Sequence, residues 1–151
     1  MYAKEPRTER EFARYFALRW QVLRAPWNQP PGSERDEYES GAFHIMVEDN
    51  SGNTIGVGRL HRKTTSLAQV RYMAIAEAWR NQGIGTLILQ QLEQQAHHWS
   101  IAKVVLNART DVVEFYRRRG YQVSGKGETL FGSIAHVTME KVLSARSSTS
   151  D

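Results

Sequence analysis

The stretch that most limits how this chain folds is Arg71-Tyr72-Met73-Ala74-Ile75, followed closely by Arg80-Asn81-Gln82-Gly83-Ile84-Gly85-Thr86. An apolar strand feeds a turn with two closely spaced glycines, and a long helix opens on them. That helix is expected from about Gly83 to Trp99, with Ile84, Leu87, Ile88, Leu92, Ala96 and Trp99 along one face. N–H groups at a helix start lack intrahelical partners and, with the helix dipole behind them, attract phosphate oxygens. A side chain in place of glycine would hold a phosphate away from those amides, and Arg80 adds a cationic fork. No Gly-Lys-Ser/Thr follows, which excludes a P-loop, and Ile88 stands where a dinucleotide fingerprint needs its third glycine. Two readings remain: a phosphate cradle, or a tight strand–helix turn without a ligand.

The rest of the chain surrounds this turn with an α/β pattern. Phe12, Tyr15, Phe16, Trp20 and Leu23 recur at helical spacing from about Glu9 to Leu23, and Pro26 with Pro30-Pro31-Gly32 stops that helix near Arg24. A second short helix is expected from Ser33 as N-cap, with Asp36 in its first turn. Strands are expected at Phe43 to Glu48, Thr54 to Leu60, Ala68 to Ile75 and Ala102 to Leu106, and again at Tyr121 to Phe131 and His136 to Leu143. No clear strand precedes the first helix, and Met1 to Arg7 is the one stretch with room for a short one. Gly56 and Gly58 mark a bulge or a close backbone approach. Asp111 to Arg119 reads as a helix with a D-x-x-E box at Asp111 and Glu114, and Gly120 ends it.

At 151 residues the chain is expected to form one domain over 1–143, with a disordered Ser/Thr-rich tail at 144–151. Its 40% hydrophobic and 24% charged residues rule out wholesale disorder. With no cysteine, thiolate catalysis, disulfides and Cys-bound zinc are excluded. His97 and His98, adjacent on a helix, point apart, so no metal site is expected. The charged N-terminus is no signal peptide and no apolar run is long enough for a membrane span, so a cytoplasmic home is the default. The net charge of +4 favours an anionic partner. Arg117-Arg118-Arg119 fall in the last turn of an expected helix, where cations complement the dipole, and no nucleic-acid motif accompanies them.

In this setting the chain closely resembles the GCN5-related N-acetyltransferase (GNAT) superfamily. Arg80, Gly83 and Gly85 fill that family's Gln/Arg-x-x-Gly-x-Gly/Ala signature between a strand and a helix. Asn107-Ala108-Arg109 and Phe115-Tyr116-Arg117-Arg118-Arg119-Gly120-Tyr121 continue the resemblance, which runs from about Phe43 to Lys141. It implies a mixed, mostly antiparallel sheet with a splayed central strand pair, flanked by about four helices. It also implies acetyl-CoA as cosubstrate. The pyrophosphate would lie on Arg80, Asn81 and the Gln82, Gly83, Ile84, Gly85 and Thr86 amides, and the pantetheine arm along Met73, Ala74 and Ile75, near Asn107 and Phe115.

The resemblance further implies that Tyr116 gives a proton to the departing sulfur, where the alternative is a packed core tyrosine. Gly132-Ser133-Ile134-Ala135-His136-Val137-Thr138-Met139 resembles a branch that includes the glyphosate N-acetyltransferases, in which the matching histidine is the general base. An imidazole titrates near neutrality and suits that work. The same branch places arginines around an acidic substrate, here Arg24, Arg71 and Arg109. Arg71 lies among Val70, Met73 and Ile75, where an unpaired charge is expensive. It therefore needs either an anionic substrate or an internal partner such as Glu48 or Glu77. Three guanidiniums in one cavity would select a small carboxylate, phosphonate or phosphate that bears an amine. The other readings are a peptide or cationic acceptor, and a non-catalytic CoA-binding domain. A homodimer through the last strands is a further possibility.

Overall fold

The computed structural model describes residues 1–143, so the tail at 144–151 lies outside the described residues. The elements run β1 (Tyr2–Lys4), α1 (Glu9–Leu23), β2 (Phe43–Glu48), β3 (Thr54–Arg62), β4 (Leu67–Ile75) and α2 (Ile84–His98). They continue with β5 (Lys103–Arg109), α3 (Val113–Arg117), β6 (Gln122–Leu130) and β7 (Ile134–Val142). The class is mixed α/β, as expected, with three α-helices rather than about four. The chain divides into two compact units, one of Met1–His61 and Val70–Gln95, the other of Arg62–Gln69 with the residues from Ala96 onward.

In the first unit the strands lie in the order β1-β2-β3-β4. β1 pairs antiparallel with β2, Ala3 opposite Val47, and β2 pairs antiparallel with β3, Ile45 opposite Gly58. α1 opens on a capping box: the Glu11 amide donates to the Thr8 hydroxyl at 3.0 Å, and the Thr8 amide donates to the Glu11 carboxylate at 3.2 Å. Its apolar stripe buries Tyr15, Phe16 and Leu18 against Met46, Val57 and Ala74.

The hydrogen bond from Lys4, joined by the Arg7 and Thr8 amides, holds the Glu11 carboxyl at about 2, from an ordinary 4.5. A depressed carboxylate stabilises the fold fully above its unfolded pKa and loses that contribution as pH falls through the folded one. Acid unfolding of Glu11→Gln should therefore be flatter between pH 4.5 and about 2 than that of the parent chain.

The short helix expected from Ser33 does not form. The Ser33 carbonyl accepts from Arg24 Nε at 3.0 Å, and the Asp36 carboxylate turns to Arg59 and Arg71 instead of a helix terminus. A helix cap is worth about 1 kcal/mol, whereas a buried guanidinium without a counter-ion costs several, so the arginines win.

α2 lies against β3 because β3 carries glycines. A Cβ on Gly56 would stand 2.7 Å from Ile84 Cγ2, and one on Gly58 would stand 2.5 Å from Ile88 Cγ2. The structure contains both: the close approach to α2 at Gly56 and Gly58, and a register shift beside Gly56, where Val47 pairs with Gly56 but Glu48 with Thr54. Gly58→Ala should lower stability by about 1–3 kcal/mol through overpacking. A denaturant midpoint equal to that of the parent chain would contradict this packing.

In the second unit the order is β5-β7-β6, all antiparallel. β5 extends past the expected Leu106, because Asn107, Ala108 and Arg109 pair with Thr138, Val137 and His136. α3 is shorter than expected. A 3-10 turn at Thr110–Val112 makes Val112 the N-cap, with no side-chain cap. The D-x-x-E box is therefore not made, and Asp111 pairs with Arg109 at 3.2 Å. Gly120, at φ +95, ends the helical segment as expected. No helix among the described residues is long and apolar enough to cross a membrane.

Candidate active site

β4 delivers the glycine turn. Met73 and Ile75 are half-buried and Ala74 is buried, and a 3-10 turn at Glu77–Trp79 leads to Arg80, Asn81, Gln82 and Gly83, all exposed. Asn81 and Gly83 both have left-handed backbones, at φ 62 and 83. A Cβ on Gly83 would meet nothing within 4 Å, so the space above it is open, and only the backbone conformation demands glycine there. α2 then starts at Ile84, with Gly85 and Thr86 in a first turn that holds no acidic residue. α1, by contrast, satisfies its own N-terminus through Thr8, Glu9 and Glu11. The α2 start is thus the helix end whose dipole has no acid of its own, and it fits a pyrophosphate group.

Two of the expected acceptor arginines meet at Tyr72. The Tyr72 ring has the guanidinium carbons of Arg19, Arg71, Arg59 and Arg24 at 4.3, 4.4, 4.9 and 5.7 Å from its centre. Its own φ of 59, in the left-handed region mid-strand, is strain that a packed surrounding must hold. Arg19 and Arg59 are fully buried. Arg19 donates to Glu39 at 2.9 Å, and Arg59 donates to Glu39 at 2.8 Å and to both oxygens of Asp36 at 2.6 and 2.9 Å. The partner of Arg71 is therefore Asp36, at 2.7 Å, and not the Glu48 or Glu77 that the sequence offered. Arg24 donates to the carbonyls of Ser33 and Leu23, both at 3.0 Å. Burial pushes the Arg24 guanidinium down, and the charges of Arg71 and Arg19 add to that. Around the ring, Arg19, Arg24, Arg59 and Arg71 stand with the carboxylates of Asp36 and Glu39, and the buried Glu34, itself paired with Arg35, also acts on Arg24.

Two histidines without any sequence motif complete this network. His44 Nε2–H donates to the Glu39 carbonyl at 2.8 Å, and Nδ1 lies 2.8 Å from the Tyr15 hydroxyl, which donates to the Gly58 carbonyl at 3.0 Å. Burial pushes the His44 pKa down. His61 Nδ1 accepts from Arg59 at 3.0 Å, and its ring stacks on Tyr38 with centres 4.4 Å apart. Sequence reasoning missed Asp36, Arg19, Arg59, His44 and His61. The signal available was Arg59, between Gly58 and Leu60 in an apolar strand, which raises the same question as Arg71.

In the second unit, His136 on β7 stands opposite Arg109 on β5. His136 Nδ1–H donates to the Ile134 carbonyl at 3.0 Å, which leaves the lone pair on Nε2, the tautomer that a base requires. The β6–β7 register slips between Lys126 and Thr129, opposite His136. A Cβ on Gly127 would stand 2.9 Å from the His136 backbone, so this bulge needs its glycine. Asn107 accepts from the Thr138 hydroxyl at 3.1 Å. Tyr116 meets Phe115 edge-on, ring centres 5.1 Å apart, and Tyr121 at 5.8 Å. Burial pushes the Tyr116 hydroxyl up to about 12, so it stays protonated near neutrality. The ion pair of Arg109 with Asp111 is exposed, and a pair of that kind contributes about 0–1 kcal/mol. Among the described residues no three His, Asp or Glu side chains gather as a metal site would require.

Comparison with known proteins gives one consistent picture. Residues 27–143 match the acetyltransferase (GNAT) domain family. An uncharacterised N-acetyltransferase of Bacillus subtilis, YjcF, is 30% identical over 141 residues, which cover 93% of this chain and 99% of that protein. An acyl-CoA N-acyltransferase from Pseudomonas aeruginosa has the same fold, with a TM-score of 0.80 at 21% identity, over 93% of this chain and 97% of that one. A GNAT acetyltransferase from Elizabethkingia anophelis with acetyl-CoA bound gives 0.71 at 17% identity, over 85% and 90%.

Proposed function

As this chain belongs to the GNAT acetyltransferase family and is an N-acetyltransferase that uses acetyl-CoA, we propose that its acceptor is a small anionic amine. Its mixed α/β fold is that of the family. An amino acid or an aminophosphonate is the acceptor class, in the manner of the glyphosate N-acetyltransferase branch. The observation that carries this reading is the cluster at Tyr72, where Arg19, Arg24, Arg59 and Arg71 gather with Asp36 and Glu39. Arg19 and Arg59 are fully buried with those carboxylates, whereas Arg71, which Asp36 also holds at 2.7 Å, has a side chain 40% exposed and is the cation of the cluster that an outside anion can reach.

In the proposed reaction the amine nitrogen attacks the thioester carbonyl carbon, and His136 Nε2 accepts the proton that the nitrogen loses. Collapse of the tetrahedral intermediate breaks the carbon–sulfur bond. Tyr116 donates to the departing sulfur. A thiol titrates near 8.5, so a phenol at about 12 stabilises the thiolate by hydrogen bonding more readily than by surrendering its proton. Arg80 and the Asn81 to Thr86 backbone hold the pyrophosphate. The family resemblance gives the pantetheine arm to Met73, Ala74 and Ile75 and likewise to Asn107 and Phe115, and it gives the acceptor to Arg24, Arg71 and Arg109.

A cytoplasmic small-molecule enzyme, rather than a nucleic-acid or membrane partner, also fits the remaining arginines. Arg117 pairs with Glu114, and Arg119 donates to the Phe115 carbonyl while its guanidinium lies 3.8 Å from the Phe115 ring centre. Arg71→Ala should raise the acceptor KM about 10–100-fold, the scale of one charged hydrogen bond, with the acetyl-CoA KM unchanged. An acceptor KM equal to that of the parent enzyme would overturn the anionic-acceptor reading.

A further inference from the structure

Asp36 lies in the segment between the 3-10 turns Ala25–Trp27 and Glu39–Gly41. Its Oδ1 accepts from Arg59 Nη1 at 2.6 Å and from the Tyr38 amide at 2.9 Å. Its Oδ2 accepts from Arg59 Nη2 at 2.9 Å and Arg71 Nη1 at 2.7 Å. The two-pronged pairing with Arg59 is how a guanidinium grips a free carboxylate or phosphate, and here the chain supplies the anion itself. No outside anion reaches Arg59, which is 0% exposed, whereas the Arg71 side chain is 40% exposed. Any anion that binds Arg71 must share its guanidinium with Asp36 and meet the Asp36 charge a few ångströms away.

We propose that Asp36 is a tethered anion that determines the selectivity of the acceptor site. Its carboxylate stands where an outside carboxylate or phosphate would sit on the Arg59–Arg71 pair, and it thereby limits how tightly the site holds anions. This rests on the reading that Arg71 faces the acceptor. Two effects oppose each other when the Asp36 charge is removed. Arg71 loses a restraint, and freeing a long side chain weakens binding. The incoming anion also loses a like charge close by, and at an effective dielectric near 20 that repulsion is the larger effect. Anion binding tightens as a result, the opposite sign from the loss of a residue that only supports Arg71.

The test uses the full chain and inorganic phosphate as the probe. The parent chain, Asp36→Asn, Arg71→Ala and the double variant are titrated with phosphate by thermal shift, and phosphate is then tested as a competitor of an aminophosphonate acceptor. The expected result is an apparent phosphate Kd at least about tenfold lower in Asp36→Asn, with the gain lost in the double variant. Equal phosphate affinity in Asp36→Asn and the parent chain would overturn the proposal, as would a gain that survives Arg71→Ala. If Asp36→Asn does not fold in plain buffer, phosphate-dependent recovery of folded protein supports the tethered anion, and no recovery overturns it. A lower phosphate Kd without competition against the acceptor keeps the tethered anion and sinks the reading of Arg71 as an acceptor contact.

Discussion

His136→Ala lowers kcat by about 10²–10⁴-fold, the range expected when a positioned general base is lost. Its affinity for acetyl-CoA stays within about twofold of the parent value, since the base acts on the acceptor amine. The size of the effect comes from how the ring is held. The Ile134 carbonyl takes the Nδ1 proton at 3.0 Å, so the tautomer with its lone pair on Nε2 is set before any substrate arrives. The β6 bulge at Gly127 lies against the His136 backbone, with no room for a Cβ, and fixes where the ring begins. The ring is half-buried on a paired strand, so truncation to alanine should leave the melting temperature nearly unchanged. A kcat within about twofold of the parent enzyme would remove His136 from the mechanism.

Arg59→Ala destabilises the chain by about 3–5 kcal/mol, as expected when one member of a buried ion-pair network is deleted. That is a large share of the roughly 5–15 kcal/mol by which a domain is held together. The guanidinium is fully buried and joins Asp36, Glu39 and His61, so its removal takes away the cation the two carboxylates share and leaves Asp36 with Arg71 and Glu39 with Arg19. Burial pushes the Asp36 carboxyl up, but the hydrogen bond and charge of Arg59, with the Tyr38 amide and Arg71, outweigh it. They hold the group well below the usual carboxylate range. A depressed carboxylate contributes stability above its unfolded pKa near 3.9 and loses it as pH falls. The gap between the parent chain and Arg59→Ala should accordingly narrow below about pH 4. A gap that stays constant to strongly acid pH would show that Asp36 and Arg59 are not coupled.

Local patterns made much of this legible. The bounds of α1 follow from its aromatic spacing and from Pro26, and the glycine turn announced the start of α2 and the exposed amide face before it. β1 has three residues and is held by its pairing with β2, so no internal pattern announces it. The cap expected at Asp111 failed because a 3-10 turn moved the helix start by one residue. The place of Asp36 could not be read locally. Its partners lie 23 and 35 residues away, and only the fold brings Arg59 and Arg71 to it. The apolar neighbours of Arg71 along its strand correctly demanded a counter-ion, but its identity depended on the fold that brings Asp36 to β3 and β4.

The most direct measurement is thiol release from acetyl-CoA with the purified chain, run in parallel on amino acids, aminophosphonates, polyamines, aminoglycosides and peptides. Release above background should occur with amines that also carry a carboxylate or phosphonate, and should be suppressed by inorganic phosphate. Turnover confined to polyamines, aminoglycosides or peptides would contradict the anionic acceptor site at Arg24 and Arg71.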